Sequence, residues 1–367
     1  MKNVVIRHHM LNARLMGFGG SQYVMLEAAI AFAERGLETY IDSPFIKSRC
    51  DLLKMAEFFG VSREEVVGIG LGDPPSSEGI TINTSGDVLS GAGDVMYLHY
   101  PFFLDYRLYY SPLHGVFDLL GKTYSFMNTA MFPLLSRKVK LYLANSWFTA
   151  SFFKRYLRIN PIIVYPPVNI DDIVSESPLT YWERERYVLI VSRISPEKHP
   201  ERAVYLAKLL EKNKIRVILV GGFSNYNKAF YDALVELAVK EKVDNNLDIL
   251  INVPRARLVD LYREALAYLH ITPKEHFGIS VVEAMAAGTP VVIPVDSGPW
   301  IDIARRDPLV AKPYKSVKEA YCVIRDISRD PNTWSLLSSN GYKRALEFDK
   351  RVFRRKVYRA VEPLIFK

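Results

Sequence analysis

The two halves of this chain open in the same way, and that repetition limits the fold more than any other feature. Val4-Val5-Ile6 is a short β-branched run, followed by a glycine-rich turn at Gly17, Gly19 and Gly20 and by a periodic apolar segment from Gln22 to Arg35 that Gly36 stops. The second half repeats the order: Tyr187-Val188-Leu189-Ile190-Val191, then Ser192-Arg193-Ile194-Ser195-Pro196-Glu197-Lys198, then a helical pattern from Glu201 to Leu210. Strand, loop and helix thus recur. Further apolar runs at Val95–Leu98, Leu141–Ala144, Ile162–Val164, Val217–Val220, Leu247–Ile251, Ala267–Ile271 and Val291–Ile293 alternate with helical segments. Continuous apolar strands between helices predict parallel sheets covered on both faces. Tyr165-Pro166-Pro167-Val168-Asn169 cannot be helical, because each proline lacks an N–H and restricts the residue before it, so it reads as a linker. The expected fold class is α/β: two Rossmann-like domains, 1–168 and 169–345, with a terminal helix at about 346–367 returning to the first.

Composition restricts function. The chain has 367 residues, 49% of them hydrophobic, and a formal charge of +8. That charge is concentrated: segments 1–168 and 169–340 carry +2 and 0, and 341–367 carries +6. Nucleic-acid binding is therefore not expected. Arg351, Arg354, Arg355, Lys356 and Arg359 surround Phe353, Val357 and Val361, a basic helix with one apolar stripe. The stripe should face protein, leaving the cations outward and available to anionic lipid headgroups. No apolar run approaches the ~20 residues of a membrane span, so neither a span nor a signal peptide is expected. Cys50 and Cys322 stand alone, without metal-ligand spacing, and a cytoplasmic location with peripheral membrane contact is the expectation. No metal or other cofactor is expected, since no Asp-x-Asp occurs to clamp a divalent ion.

The chemistry concentrates between Pro273 and Pro290. Gly278 lets backbone approach a ligand closely, and the helix beginning there offers free N–H groups and the positive end of its dipole to a phosphate. Ser280 with Glu283 three residues later reads as a capping box, which leaves open whether Glu283 caps, binds a ligand, or does both. Arg193 and Lys198 follow a strand, where cations can stabilise a departing diphosphate. His99 follows Val95–Leu98 at a strand end.

Glu275-His276-Phe277-Gly278-Ile279 with Glu283-Ala284-Met285-Ala286-Ala287-Gly288-Thr289-Pro290 closely resembles the signature of retaining glycosyltransferases of the family 4 type, which adopt the GT-B fold, two Rossmann-like domains facing a central cleft. Gly19-Gly20-Ser21, Tyr97-Leu98-His99-Tyr100-Pro101, Asn145-Ser146-Trp147-Phe148-Thr149 and Arg193 with Glu197-Lys198 are similar to further motifs of that family, in the same order. Ser192 stands where relatives often have glycine, and Asp296-Ser297-Gly298-Pro299 has one glycine where they often have two. Among subfamilies the chain looks nearest to the α-1,2-mannosyltransferases that extend lipid-linked oligosaccharides from GDP-mannose. The resemblance implies a nucleotide-sugar donor and a glycan or lipid-linked acceptor. It implies that His99, Arg193, Lys198 and Glu275 carry the chemistry. Glu283 would then hold the ribose, the backbone of Phe277, Gly278, Ile279 and Ser280 would line the sugar and phosphate path, Val253 and Pro254 would approach the base, and Gly19 and Gly20 would form the N-terminal loop. The aromatic segment with Phe102, Phe103, Tyr106, Tyr109 and Tyr110 would meet the acceptor. A sugar-nucleotide epimerase and a non-catalytic nucleotide-sugar-binding subunit share the fold and are the alternatives.

Overall fold

The computed structural model describes residues 3–9, 18–74, 79–99, 115–175, 178–223 and 227–366, with side chains of 115–121 left aside. Tyr100, Pro101, Gly17 and the acceptor-segment aromatics Phe102, Phe103, Tyr106, Tyr109 and Tyr110 lie outside the described residues. The chain divides into two compact units: 1–169 with 348–367, and 170–347.

Unit 1 holds seven parallel strands: β1 (Asn3–Arg7), β2 (Thr39–Asp42), β3 (Ile69–Leu71), β4 (Gly79–Asn83), β5 (Val95–Leu98), β6 (Leu141–Ala144) and β7 (Ile162–Ile163), in the order β3-β2-β1-β4-β5-β6-β7. Unit 2 holds six: β8 (Glu185–Val191), β9 (Arg216–Gly221), β10 (Leu247–Ile251), β11 (Ala265–Leu269), β12 (Val291–Pro294) and β13 (Lys312–Tyr314), in the order β10-β9-β8-β11-β12-β13. All pairings are parallel. In each sheet the order reverses beside the first strand, between β1 and β4 and between β8 and β11. Loops leaving the C-terminal ends of such neighbours diverge to opposite faces and open a crevice for ligands.

The apolar runs form strands because both faces are covered: Val188, Leu189, Ile190, Ala267, Leu269 and Val292 are essentially inaccessible. The periodic segment after β1 becomes the helix Gly20–Ala33, and the one after Lys198 becomes Glu201–Leu210. β2, β3, β4 and β13 escape a sequence reading: each is three to five residues long, and each includes a polar residue or glycine.

The last helix, Lys350–Ile365, begins at Asp349, whose carboxylate accepts from the Arg351 N–H. Phe353, Val357, Val361 and Ile365 are buried in the core of unit 1. The expectation that its cations point outward holds for Arg355 and Arg359 and fails for Arg354, which is buried. Its guanidinium lies 2.5 Å from Glu27 Oε2, 2.6 Å from Glu65 Oε1 and 3.3 Å from Glu34 Oε2. Burial pushes the Glu27 carboxyl up and the Arg354 hydrogen bond pulls it back only partly. A carboxylate inside an apolar interface must find a cation, and the terminal helix supplies one.

Candidate functional site

In unit 2 the site grows from β8 and β11, the strands at the sheet's reversal. β8 ends at Val191, and the chain turns through Ser192 and Arg193 into one short turn, Pro196–Lys198. His199 closes that turn at φ 54°, which starts the helix Glu201–Leu210. Arg193 Nη2 lies 3.4 Å from Glu197 Oε1, with its side chain 42% exposed. Lys198 Nζ points toward the loop after β11 and donates to Glu275 Oε2 at 2.7 Å.

Glu275 is the electrostatic centre of this group. Its side chain is 15% exposed, with His270 Nε2 at 3.6 Å and His276 Nδ1 at 4.0 Å. Burial pushes its carboxyl up, but the Lys198 ammonium and the neighbouring histidines win and hold it well below the usual carboxylate range. An ionised acceptor beside a cation can take sugar hydroxyls while the cation faces phosphate.

The helix Ile279–Ala286 starts at Gly278, in the left-handed region at φ 89°. A Cβ there would fall 2.8 Å from Pro299 Cγ, so glycine is required on both counts. The expected capping box is absent: Gly278 is the cap residue and has no side chain to contribute. Ser280 instead lies inside the helix and accepts from the Tyr268 hydroxyl at 2.7 Å. Glu283 lies inside as well. Its Oε1 accepts from Arg255 Nη1 at 2.5 Å and its Oε2 from the Tyr262 hydroxyl at 2.9 Å. Arg255 in turn grips Asp172 with Nε at 2.8 Å and Nη2 at 3.0 Å. Glu283 therefore belongs to a charged network and does not cap the helix.

The remaining expected residues fall around this group. Phe277 is buried, so only its backbone is available. Val253 and Pro254 follow β10, and Pro254 caps the helix Arg255–Glu264 that carries Arg255. The single glycine Gly298 also has a physical reason: its N–H donates to Glu275 O at 2.6 Å, and a Cβ would fall 1.8 Å from His276 O. Among the described residues no group of three or more His, Cys, Asp or Glu could hold a metal ion.

Unit 1 carries a second cluster, at the ends of β1, β4 and β5. His99 follows β5, and its Nε2 lies 2.8 Å from the Thr84 carbonyl oxygen. His8 follows β1, and its Nδ1 lies 3.0 Å from the same oxygen. Burial lowers His99 to about 4, and burial with the neighbouring His99 lowers His8 to about 3. Gly19 caps the helix Gly20–Ala33, its N–H donating to Gln22 Oε1 at 3.0 Å, and Gly19 and Gly20 are exposed at that helix start. The structure thus brings Lys198, Glu275, Gly278, Ser280 and Glu283 together with residues that sequence reasoning missed: Arg255, Tyr262, Asp172 and His270. Only His270, placed just after β11, gave a sequence signal. His8 and Thr84 were missed in unit 1, though a histidine at the end of the first strand was visible.

Residues 178–344 match the family described as glycosyl transferases group 1. The chain is 36% identical over 155 residues to a GDP-Man:Man(3)GlcNAc(2)-PP-Dol alpha-1,2-mannosyltransferase of Xenopus laevis, a match covering 38% of this chain and 30% of that protein. The human protein of the same description is 34% identical over 151 residues, again 38% and 30%. A D-inositol 3-phosphate glycosyltransferase of Nocardia farcinica is 38% identical over 112 residues, 29% of this chain and 25% of that protein. The matched region thus spans under a third of these relatives' length. Over its whole length the fold is similar to Anabaena HepE crystallised with UDP and glucose (TM-score 0.70, 15% identity, 99% of this chain and 100% of that one). It is also similar to sucrose-phosphate synthase from Thermosynechococcus elongatus (TM-score 0.71, 15% identity, 99% of each chain). With two parallel Rossmann-like sheets and a cation, carboxylate and helix-start cluster at the reversal of the second, this chain has the fold of GT-B proteins, and its residues 178–344 match the glycosyl transferases group 1 family.

Proposed function

We propose that the protein is a retaining glycosyltransferase that moves a sugar, mannose from GDP-mannose, from a nucleotide diphosphate to a glycan or lipid-linked glycan acceptor. The observation that carries this reading is the Lys198–Glu275 pair beside the Gly278 helix start, at the strand ends where open parallel sheets take ligands. The donor is named from the relatives' descriptions, which specify GDP-Man and a PP-Dol-linked acceptor.

In this reading Arg193 and Lys198 neutralise the diphosphate as it departs, with the N–H groups that open the helix Ile279–Ala286 adding to them. Glu275 holds donor-sugar hydroxyls. Glu283 holds the ribose hydroxyls: two of its lone-pair positions are committed to Arg255 and Tyr262, and a carboxylate has about four. Val253 and Pro254 approach the base, and Gly19, Gly20 and His99 keep the roles that the family resemblance implies for them. Attack comes from the face the leaving group departs, with its phosphate oxygen helping to take the acceptor proton. In this reading the two cations supply the charge in place of a metal ion, and turnover should survive a chelator.

Attachment to a membrane surface is part of the proposal. No helix among the described residues is long and apolar enough to cross a bilayer. Arg355, Lys356 and Arg359 are exposed along the last helix and would bind anionic headgroups, whereas Arg354 is withdrawn into protein. Vesicle co-sedimentation that is equal on neutral and anionic lipid would remove this part. The main test is a panel of UDP- and GDP-sugars, with and without a lipid-linked acceptor, with products read by mass spectrometry. Sugar transfer with the anomeric configuration kept supports the reading, while binding without transfer, or conversion of the donor sugar alone, replaces it with a binding subunit or an epimerase.

A further inference from the structure

β1, β4 and β5 lie side by side in unit 1, and the residues that follow their C-terminal ends share one hydrogen-bond acceptor. Thr84, after the middle strand, presents its carbonyl oxygen to His8 Nδ1 at 3.0 Å on one side and to His99 Nε2 at 2.8 Å on the other. A carbonyl oxygen only accepts, so both ring nitrogens carry their protons. The Thr84 hydroxyl does not change this: it donates to the Arg7 carbonyl at 3.1 Å, which leaves its oxygen as a second acceptor for His8 Nδ1, also at 3.1 Å. In the neutral rings the bare nitrogens are then His8 Nε2 and His99 Nδ1.

His8 bears a cost for this. Its side chain is wholly buried, and its Nε2 has no hydrogen-bond partner among the described residues. A phenylalanine or leucine would fill such a site without stranding an acceptor, so packing alone does not account for histidine here. Its N–H occupies one side of the Thr84 oxygen. Without it, the full negative end of that carbonyl would act on His99 Nε2–H and favour the imidazolium. The other groups placed against His99 among the described residues are uncharged. Tyr97 from β5 has its ring centre 5.0 Å away and its hydroxyl committed to Val164 O. Thr149 donates its hydroxyl to the His99 carbonyl, and the Gly86 backbone lies against the ring. At the ends of β1 and β2 Arg7 and His9 pair with Asp42, and Asp87, which follows Gly86, accepts from the Ser90 N–H and hydroxyl.

We propose that His8 is a positioning residue for His99: by sharing the Thr84 carbonyl that takes the His99 Nε2 proton, it weakens that carbonyl's pull toward the imidazolium and adds to the burial that keeps His99 neutral, with Nδ1 left as an acceptor for a hydroxyl. This rests on the proposed role of His99 in sugar transfer. A neutral acceptor there can orient a sugar hydroxyl, whereas an imidazolium would offer a donor and a positive charge instead.

The test is imidazole nitrogen NMR on the full chain, comparing the wild type with His8→Phe, which deletes the donor, and His8→Asn, whose side-chain N–H can replace that of Nδ1. In the wild type His99 should be protonated on Nε2 alone at neutral pH and titrate far below ordinary histidine. In His8→Phe its midpoint should rise while staying below the ordinary imidazole range, because burial remains; His8→Asn should restore most of the wild-type value, and the Phe variant should melt no lower than the wild type. His8→Leu makes the same deletion in a smaller side chain if Phe does not fold. An unchanged His99 midpoint in a folded Phe or Leu variant overturns the inference. Donor turnover on the same samples reports separately on the role of His99: a moved midpoint with unchanged turnover leaves the coupling intact and removes the catalytic reading.

Discussion

Replacing Lys198 by Met keeps most of the side chain's length and removes its charge from Glu275. At 2.7 Å, with the two side chains 21% and 15% exposed, the pair is shielded from water but not sealed. Unit charges about 3 Å apart attract by roughly 5 kcal/mol at an effective dielectric of about 20. Desolvation consumes part of that, and stranding one partner of a buried pair costs about 3–5 kcal/mol; partial exposure puts this pair near 3 kcal/mol. The consequence for stability has a sign. In the wild type Glu275 is held well below its ordinary range, so it stabilises the fold above the unfolded-state pKa, and that stability disappears as pH falls through the folded value. In Lys198→Met burial acts with less opposition and the carboxyl rises, so the variant is penalised most at neutral pH. The stability gap should therefore narrow on acidification. Donor turnover should fall on the order of 10²-fold, because in the proposed reaction the same ammonium faces the departing diphosphate. Adding Glu275→Gln should recover stability without recovering turnover. Denaturant melts at several pH values, run beside nucleotide-release kinetics, measure both. A Lys198→Met protein with wild-type turnover and a pH-independent stability gap would refute the reasoning.

Glu283→Gln and Arg255→Gln should both weaken UDP or GDP binding in titration calorimetry, the second by releasing Glu283. Neither should weaken the helix Ile279–Ala286 as loss of a cap would, and undiminished nucleotide affinity in both would remove the ribose role. Arg354→Met should cost about 3–5 kcal/mol by stranding Glu27, and adding Glu27→Leu should return most of it, since an apolar replacement of a buried pair is often near neutral. A single variant that melts with the wild type contradicts the buried-pair account. Gly298→Ala should force the loop off the Glu275–His276 backbone and lower donor affinity, read by the same calorimetry; unchanged affinity would show that the contact with His276 O does not shape the site.

The sequence by itself determined the two sheets and singled out the segment around Glu275 and Gly278, because both are local patterns. Continuous apolar runs such as Tyr187–Val191 and Val217–Val220 leave few alternatives to buried parallel strands. Gly278 is required by its left-handed backbone, and Gly298 by the close approach of His276 O, which leaves no room for a Cβ. Short strands such as Lys312–Tyr314 were not legible, since their pairing with β12 stabilises them more than their own composition does. Partner choice was equally invisible. Spacing suggested that Glu283 caps a helix, but tertiary packing brings Arg255 and Tyr262 from another segment to its carboxylate. A basic stripe suggested that Arg354 faces outward, yet Glu27, more than 300 positions earlier, draws it inward, because an ionised carboxylate inside an apolar interface demands a cation. His8 and His99 look unrelated along the chain. Only the strand order, which puts β4 between β1 and β5, gives them a common carbonyl. Local sequence sets backbone geometry and burial, whereas the balance of charge and hydrogen bonding at a site depends on which distant groups the sheet brings within 3 Å.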